Sequence, residues 1–461
     1  MKTIIENKNI TYSLKTHFKE TIILAAPVSI GQLGHIMLGV VDSFMVGRLG
    51  AEPLAAAALA NGLFFLVMVL GIGMSHAITV LIAIAKGEEK HEYCGVILRQ
   101  SLIVNVVFSI GLTLLVLLAA ELIVYLNQEP IVAELTKSYL QILSFSILPF
   151  MVFQTYRQFV EGLSDTKPPM YVAIVSNFIN FFVNWVLVYG NLGMPALGLD
   201  GAGFATLSTR IFMALAMMIF VIKSKKYSEY DPGLNFKTFD LSIMKKIINI
   251  GLPSGVMYAL EVGAFAFAAV IIGWLGSVSL AAHQIAINLA SISYMVVLGI
   301  SSAATIRVGN ALGRKDILNV KKAGYSAIIL GMGFMFFTGL IFIIFNNYLP
   351  TLYIDDKSVI ALASSLLIIA ALFQLSDGAQ AVGMGILKGL TDVKFPMLIT
   401  LTAYWFIALP IGYVLAFHLE LDIIGVWIGL LIGLTAAASL FIFRFYRLTK
   451  KLLSDEALNS I

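Results

Sequence analysis

Apolar stretches long enough to cross a bilayer recur twelve times in this 461-residue chain, and they constrain its fold more than any other feature. A span of about 20 apolar residues rising 1.5 Å each matches the hydrocarbon thickness. The spans are read at 21–46, 56–84, 98–119, 134–158, 169–190, 201–222, 247–273, 281–305, 323–345, 359–386, 396–417 and 424–443. In lipid every backbone N–H and C=O must be satisfied within the protein, so spans of this length are helices. Only 12% of the residues are charged, against 59% hydrophobic, where a soluble domain carries roughly 25% charged residues. The expectation is an all-α polytopic membrane protein without a soluble domain. The N-terminus does not read as a cleavable signal peptide, since mostly polar residues precede an apolar segment too long for one. The single cysteine, Cys94, excludes an internal disulfide or a cysteine metal cluster.

The basic residues predict an orientation. If the N-terminus is cytoplasmic, 26 of the 30 Lys and Arg residues fall in inner segments. Arg48, Lys137 and Lys357 fall outside, and Arg210 lies within the sixth span. This follows the positive-inside rule and predicts an even number of spans with both termini cytoplasmic in the cell (inner) membrane. The longest connection, about Lys223 to Lys246, is basic and holds the turn signal Asp231-Pro-Gly. It divides the chain into an N-terminal six-helix lobe, 1–230, and a C-terminal six-helix lobe, 231–461, with the linker at about 223–246.

The two halves repeat. At an offset of 226, Pro27 matches Pro253, Leu49-Gly50 matches Leu275-Gly276, and Leu54-Ala55-Ala56 matches Leu280-Ala281-Ala282. The register runs on through Gly73/Gly299, Ser75/Ser301, Thr79/Thr305 and Gly87/Gly313. At 227, Gly162-Leu-Ser-Asp-Thr-Lys-Pro-Pro-Met170 resembles Gly389-Leu-Thr-Asp-Val-Lys-Phe-Pro-Met397. Six spans per half is an even number, so both halves enter from the same side. They should be related by an axis near the membrane normal, as parallel repeats are.

Three acids interrupt the apolar spans: Asp42, Glu261 and Asp377. A charge at that depth is costly and marks a functional site by default. At the repeat offsets their counterparts are Ala268, His35 and Phe150, so the fold's symmetry does not require them. Glu261 lies mid-span within Leu252–Phe267. Asp377 has polar neighbours in Gln374, Ser376 and Gln380, which suggest a wet inward face. Asp42 lies in the outer half of the first span and could be hydrated there. A buried carboxylate can hold a proton, and two together can hold a hard monovalent cation through oxygen ligands. Either makes a cation exchanger. With no basic residue near the acids in sequence, the cavity is expected to be net negative and to favour positively charged substrates.

Other side chains carry weaker signals. Phe265, one turn from Glu261, and Tyr294 could face a cation, or simply pack. Asn177, Asn180 and Asn184 form a stripe that either lines a cavity or bonds a neighbouring helix. Asp355-Asp356 fits a helix N-cap. There is no H-E-x-x-H, P-loop lysine motif, G-x-S-x-G elbow or Gly-x-Gly-Asp, so an enzyme is not expected. Without an ATP site, any pumping must draw on an ion gradient.

Taken together, Gly39-Val-Val-Asp-Ser-Phe-Met-Val-Gly47, Asn180-Phe-Phe-Val-Asn-Trp-Val-Leu-Val-Tyr-Gly190, the Glu261 segment, Phe373-Gln-Leu-Ser-Asp377 and Gly389-Leu-Thr-Asp392 resemble the multidrug and toxic compound extrusion (MATE) transporters, NorM branch. The resemblance covers nearly the whole chain. It implies two six-helix lobes around a central cleft, and export of amphipathic organic cations, small drugs and dyes, coupled to Na⁺ or H⁺. Na⁺ is favoured, and antibiotic resistance is the implied phenotype. It assigns the coupling ion to Glu261, Asp377 and Tyr294, the substrate to Asp42, Asn61, Phe265, Gln284, Asp355 and Asp356, and cavity polarity to Asn180, Asn184 and Gln374. Asn61 stands where relatives often have serine, and Phe373 where some have tyrosine. No cofactor beyond the coupling ion, no nucleic-acid partner and a monomer in the lipid bilayer are expected. The rivals are a lipid-linked oligosaccharide flippase, which needs cations lining the cavity, and a receptor without transport.

Overall fold

A computed structural model describes residues 13–126, 129–235 and 239–459; of the basic residues used above, Lys2, Lys8 and Lys237 lie outside them. The first half contains α1 (Leu14–Gly47), α2 (Ala51–Gly87), α3 (His91–Leu122), α4 (Pro130–Phe145), α5 (Ile147–Gly162), α6 (Lys167–Tyr189) and α7 (Gly198–Lys223). The second contains α8 (Leu241–Gly273), α9 (Ser277–Gly313), α10 (Ile317–Ile344), α11 (Lys357–Gly389), α12 (Lys394–Thr400), α13 (Leu409–Phe417) and α14 (Asp422–Asn459). No strand occurs among the described residues. Eleven spans are long and apolar enough to cross a membrane, with α12 and α13 forming one of them. The pair α4 and α5, bent by 40° at Ser146, makes the twelfth, in place of the single span read at 134–158.

Local chemistry accounts for the helix ends. Ser13 accepts the Thr16 N–H at 3.3 Å, and Asp240 accepts those of Ser242 and Ile243 at 2.9 and 3.1 Å. These caps satisfy donors that the first helical turn leaves orphaned. Between α12 and α13 the backbone is π-helical over Leu401–Ala408, just ahead of Pro410, whose missing N–H cannot continue the ladder.

The repeat extends to backbone conformation. Gly50 and Gly276, which open α2 and α9, have φ of 129° and 110°. Glu89 and Lys315 have φ of 58° and 57°, and Ser164 and Thr391 of 62° and 61°. These pairs are spaced by the same 226, 226 and 227 residues as the sequence matches. Left-handed conformations are uncommon outside glycine, so their recurrence in register reports the same turns built twice.

Two apolar cores form, one mainly from the first half and one mainly from the second. The halves interlock at their seam. The helix α8 packs along α2 and α1 along α9, while α1 barely touches α2. Ile243, Ile247 and Ile250 of α8 join the first core, and Ala25 of α1 joins the second.

The seam is closed at one end and open at the other. On the side where α1 begins and α9 ends, a Cβ added at Gly73 would lie 2.4 Å from Gly255 Cα. One at Gly87 would lie 2.2 Å from the Asn310 carbonyl oxygen, and one at Gly299 2.0 Å from Ser29 Oγ. Such contacts need glycine, and small residues are what let membrane helices approach closely. Towards the opposite end, a Cβ added at Gly39 or Gly62 meets nothing within 4 Å. The terminal side is therefore packed backbone to backbone, while the far halves of α1 and α2 turn Gly39 and Gly62 to open space.

Candidate functional site

Two buried acidic sites lie in different halves. In the second, Glu261 of α8 and Asp377 of α11 are only 5% and 7% exposed and within electrostatic reach of each other. Tyr294 of α9 donates its hydroxyl to Glu261 Oε1 at 3.1 Å. The other oxygen, Oε2, is buried with no hydrogen-bond partner among the described residues. Gln380, one turn after Asp377, lies beside the Glu261 carboxylate, with neither its amide nitrogen nor its amide oxygen in a closed hydrogen bond, so the amide can turn either end to the site. Buried polar atoms are normally satisfied. These oxygens, two carboxylates and an amide carbonyl, make a donor set for a hard cation. Among the described residues no three or more His, Cys, Asp or Glu side chains group as a metal site. Gln374 does not join it; its amide donates to Ser293 Oγ at 2.7 Å, tying α11 to α9.

In the first half Asp42 of α1, 8% exposed, is held from two helices. Asn184 Nδ2 donates to its Oδ1 at 2.7 Å and Thr206 Oγ1 to its Oδ2 at 2.9 Å. Asn180 accepts from the same Asn184 amide at 3.1 Å. Of the two readings of the asparagine stripe, the contacts to a neighbouring helix are the ones made; Asn177 likewise donates to the Gly34 carbonyl at 3.0 Å. Asn61 of α2 sits against the Tyr139 hydroxyl, which borders the same region.

The other expected substrate residues are more dispersed. Phe265 is half-buried, its ring 6.0 Å from that of Tyr404. Gln284 is exposed on α9 and donates to Asn288 at 3.3 Å. Asp355 and Asp356 are exposed where α11 begins. Asp356 is that helix's N-cap, accepting the N–H groups of Ser358 and Val359 at 2.8 and 3.2 Å. These bonds, that from Val359 first, hold its carboxyl below the usual carboxylate range.

Several partners escaped the sequence reading. Thr206 lies one helical turn before Arg210, the one mid-span base, and so shares its face; that spacing was the available signal. Arg210 lies within electrostatic reach of Asp42, donates to Ser146 Oγ at 2.7 Å, and stands 4.9 and 5.0 Å from the Phe64 and Phe150 rings. Lys388, buried near the terminal end of α11, donates to the Tyr258 hydroxyl at 2.8 Å and reaches Glu261 electrostatically. The sequence places no base near these acids, and the fold does. One base neighbours each acidic site, brought there by packing rather than by sequence proximity.

Comparison with known proteins decides the family. The MatE family model matches residues 27–186 and again 253–414, two copies that begin 226 residues apart. The chain belongs to the MatE family. Similar relatives include a probable multidrug resistance protein NorM of Mesorhizobium japonicum, 36% identical over 440 residues, covering 94% of each chain. The multidrug resistance protein MdtK of Yersinia pestis is 34% identical over 436 residues, covering 93% of this chain and 95% of its own. Among solved structures, an outward-facing multidrug resistance MATE family transporter of the MOP superfamily aligns with a TM-score of 0.88. It is 20% identical and covers 98% of this chain and all of its own. A eukaryotic MATE transporter aligns at 0.86, with 21% identity and coverage of 95% and 98%. For this MatE chain they establish the helical, two-fold repeated fold.

Proposed function

We propose that this MatE protein is a secondary antiporter that exports amphipathic organic cations in exchange for Na⁺, with H⁺ as the alternative coupling ion. One observation carries the reading: buried carboxylates inside each half, Glu261 with Asp377 and Asp42 with its amide and hydroxyl donors, between halves that pack backbone to backbone on the terminal side. The multidrug resistance names of relatives at 33–36% identity support the substrate class. The buried oxygen of Glu261 without a partner, with Asp377 and Gln380 beside it, favours Na⁺, because Na⁺ takes several oxygen ligands whereas a proton held on one carboxylate needs at most one further acceptor. The organic cation is held by the carboxylates and rings in the open cleft. The coupling ion entering Glu261 and Asp377 then competes for the same charge and favours release. If the termini are cytoplasmic, the open face is the outer one, as release requires. Exchange of one monovalent cation for one coupling ion moves no net charge, so a membrane potential would not drive that stoichiometry.

The test is transport of a fluorescent cation in everted membrane vesicles with Na⁺ and pH varied separately. Dye movement driven by a Na⁺ gradient at fixed pH, and lost in Glu261→Gln and Asp377→Asn, supports the proposal. A pH-only response assigns coupling to H⁺. Movement of an anionic lipid headgroup instead points to a flippase, and no movement of either to a receptor.

A further inference from the structure

On the lipid-facing flank of the second half, away from both acidic sites, two clefts of about 430 and 310 Å³ meet at Phe443 and Arg447. They lie where α14 leaves the apolar region on the terminal side. Along α14, Leu440, Phe443, Arg447, Lys450 and Ser454 recur every three or four residues and so form one stripe. The stripe changes from apolar to cationic over about 15 Å of helix. Facing it across the smaller cleft are Phe395 and Leu398, both half exposed. Arg444 is already engaged, donating to Asp392 at 2.8 Å and lying 4.3 Å over the Phe395 ring. Arg447 has no anionic partner among the described residues; its guanidinium lies 4.5 Å over the Phe443 ring. Lys450 and Lys451, beside it in the larger cleft, are exposed and equally without one.

We infer that this groove binds an anionic phospholipid of the leaflet on the terminal side, its phosphate on Arg447 and Lys450 and an acyl chain between Leu398 and Leu440. Basic clusters at the end of a membrane helix attract anionic headgroups, and pockets between helices select them. The apolar cleft gives an acyl chain contacts that a free phosphate cannot use. The cationic rim repels the organic cations proposed as cargo, so the groove is distinct from the transport path. Arg447 stacked on Phe443 is also placed in advance for a planar, bidentate phosphate contact.

The test uses the full-length protein in detergent, with bound lipid measured by native mass spectrometry against equal phosphatidylglycerol and phosphatidylcholine. Wild type should retain phosphatidylglycerol preferentially, and Arg447→Gln with Lys450→Gln should reduce that preference roughly tenfold or more, since each surface cation contributes separately. Phe443→Ala should weaken retention of both lipids, because it removes apolar contact and ring support. Arg444 is left intact, and monodispersity checks the fold of each variant. Equal retention of the two lipids by wild type overturns the inference. So does an undiminished preference in the double variant. Glycerol phosphate competing as well as the lipid would also overturn it, in favour of a site for free phosphate.

Discussion

Tyr294 and Glu261 are joined across two helices, the tyrosine hydroxyl donating to one carboxylate oxygen at 3.1 Å while the other oxygen stays buried and unpaired. A hydrogen bond of this kind orients the carboxylate without neutralising it. The unsatisfied oxygen is the part of the site that an incoming cation can complete. Glu261→Gln should therefore abolish the response of dye efflux to the ion gradient. On the proposed Na⁺ coupling, Tyr294→Phe should keep the response but raise the Na⁺ requirement roughly tenfold or more, because a bond to a charged group contributes about 1.5–3 kcal/mol. Efflux measured against Na⁺ concentration separates the two. Equal loss in both variants would mean that Tyr294 does more than orient.

Asp42 makes a contrasting case, since both its oxygens are occupied, by Asn184 at 2.7 Å and Thr206 at 2.9 Å. Thr206→Val removes one donor at nearly constant volume and should reduce transport about tenfold. Thr206→Ser should restore most of it. Failure of serine to rescue would show that the threonine methyl, through packing, is what matters.

The far side of the repeat explains why the acids could be read and their surroundings could not. Counterparts of Glu261 and Asp377 at offsets 226 and 227 are His35 and Phe150, and those two rings stand 6.1 Å apart in the first half. The repeat thus places the same two positions together in both halves. It fills one pair with carboxylates and the other with rings, a pattern legible from sequence once the offset is known. Twelve spans were legible for the same reason, because lipid enforces long apolar helices. Gln380 was legible as a polar neighbour of Asp377, but its place beside Glu261 was not, and neither were Thr206 beside Asp42 or Lys388 near Glu261. Each lies more than a hundred residues along the chain from that acid, and only helix packing brings them near. The bend at Ser146 did have a signal in Pro149, interior to the span read at 134–158, since a proline inside a helix kinks it near the preceding turn.

The seam glycines predict a conformational effect. Gly73→Ala adds a methyl 2.4 Å from Gly255 Cα, where backbone rather than a yielding side chain is met. Overpacking of this kind costs about 1–3 kcal/mol, enough to shift the closed form of the terminal side by tenfold or more. Gly39→Ala, which meets nothing within 4 Å, should be silent. Labelling of cysteines introduced along α2 reads the opening, and the buried native Cys94 contributes little background. Similar labelling in both variants would count against a glycine-dependent seal.

Arg307 predicts an asymmetry between the two related seams. From α9 it donates to the His17 carbonyl at 2.8 Å, Thr21 Oγ1 at 2.7 Å and Glu20 at 2.8 Å, all on α1. In the seam between α8 and α2, the positions matching His17, Thr21 and Arg307 are Ile243, Ile247 and Leu81, so that contact is apolar. One seam is latched by polar bonds, and the matching positions of the other meet through apolar side chains. Arg307→Met removes the donor to the His17 carbonyl and to Thr21, which still bond each other, and each lost hydrogen bond costs about 0.5–1.5 kcal/mol. Glu20→Gln should act weakly, since its side chain is 42% exposed and water replaces the partner. Labelling on the terminal side should rise at least tenfold in Arg307→Met and no more than two- or threefold in Glu20→Gln. The reverse order would place the latch in the ion pair rather than in the guanidinium's bonds to α1.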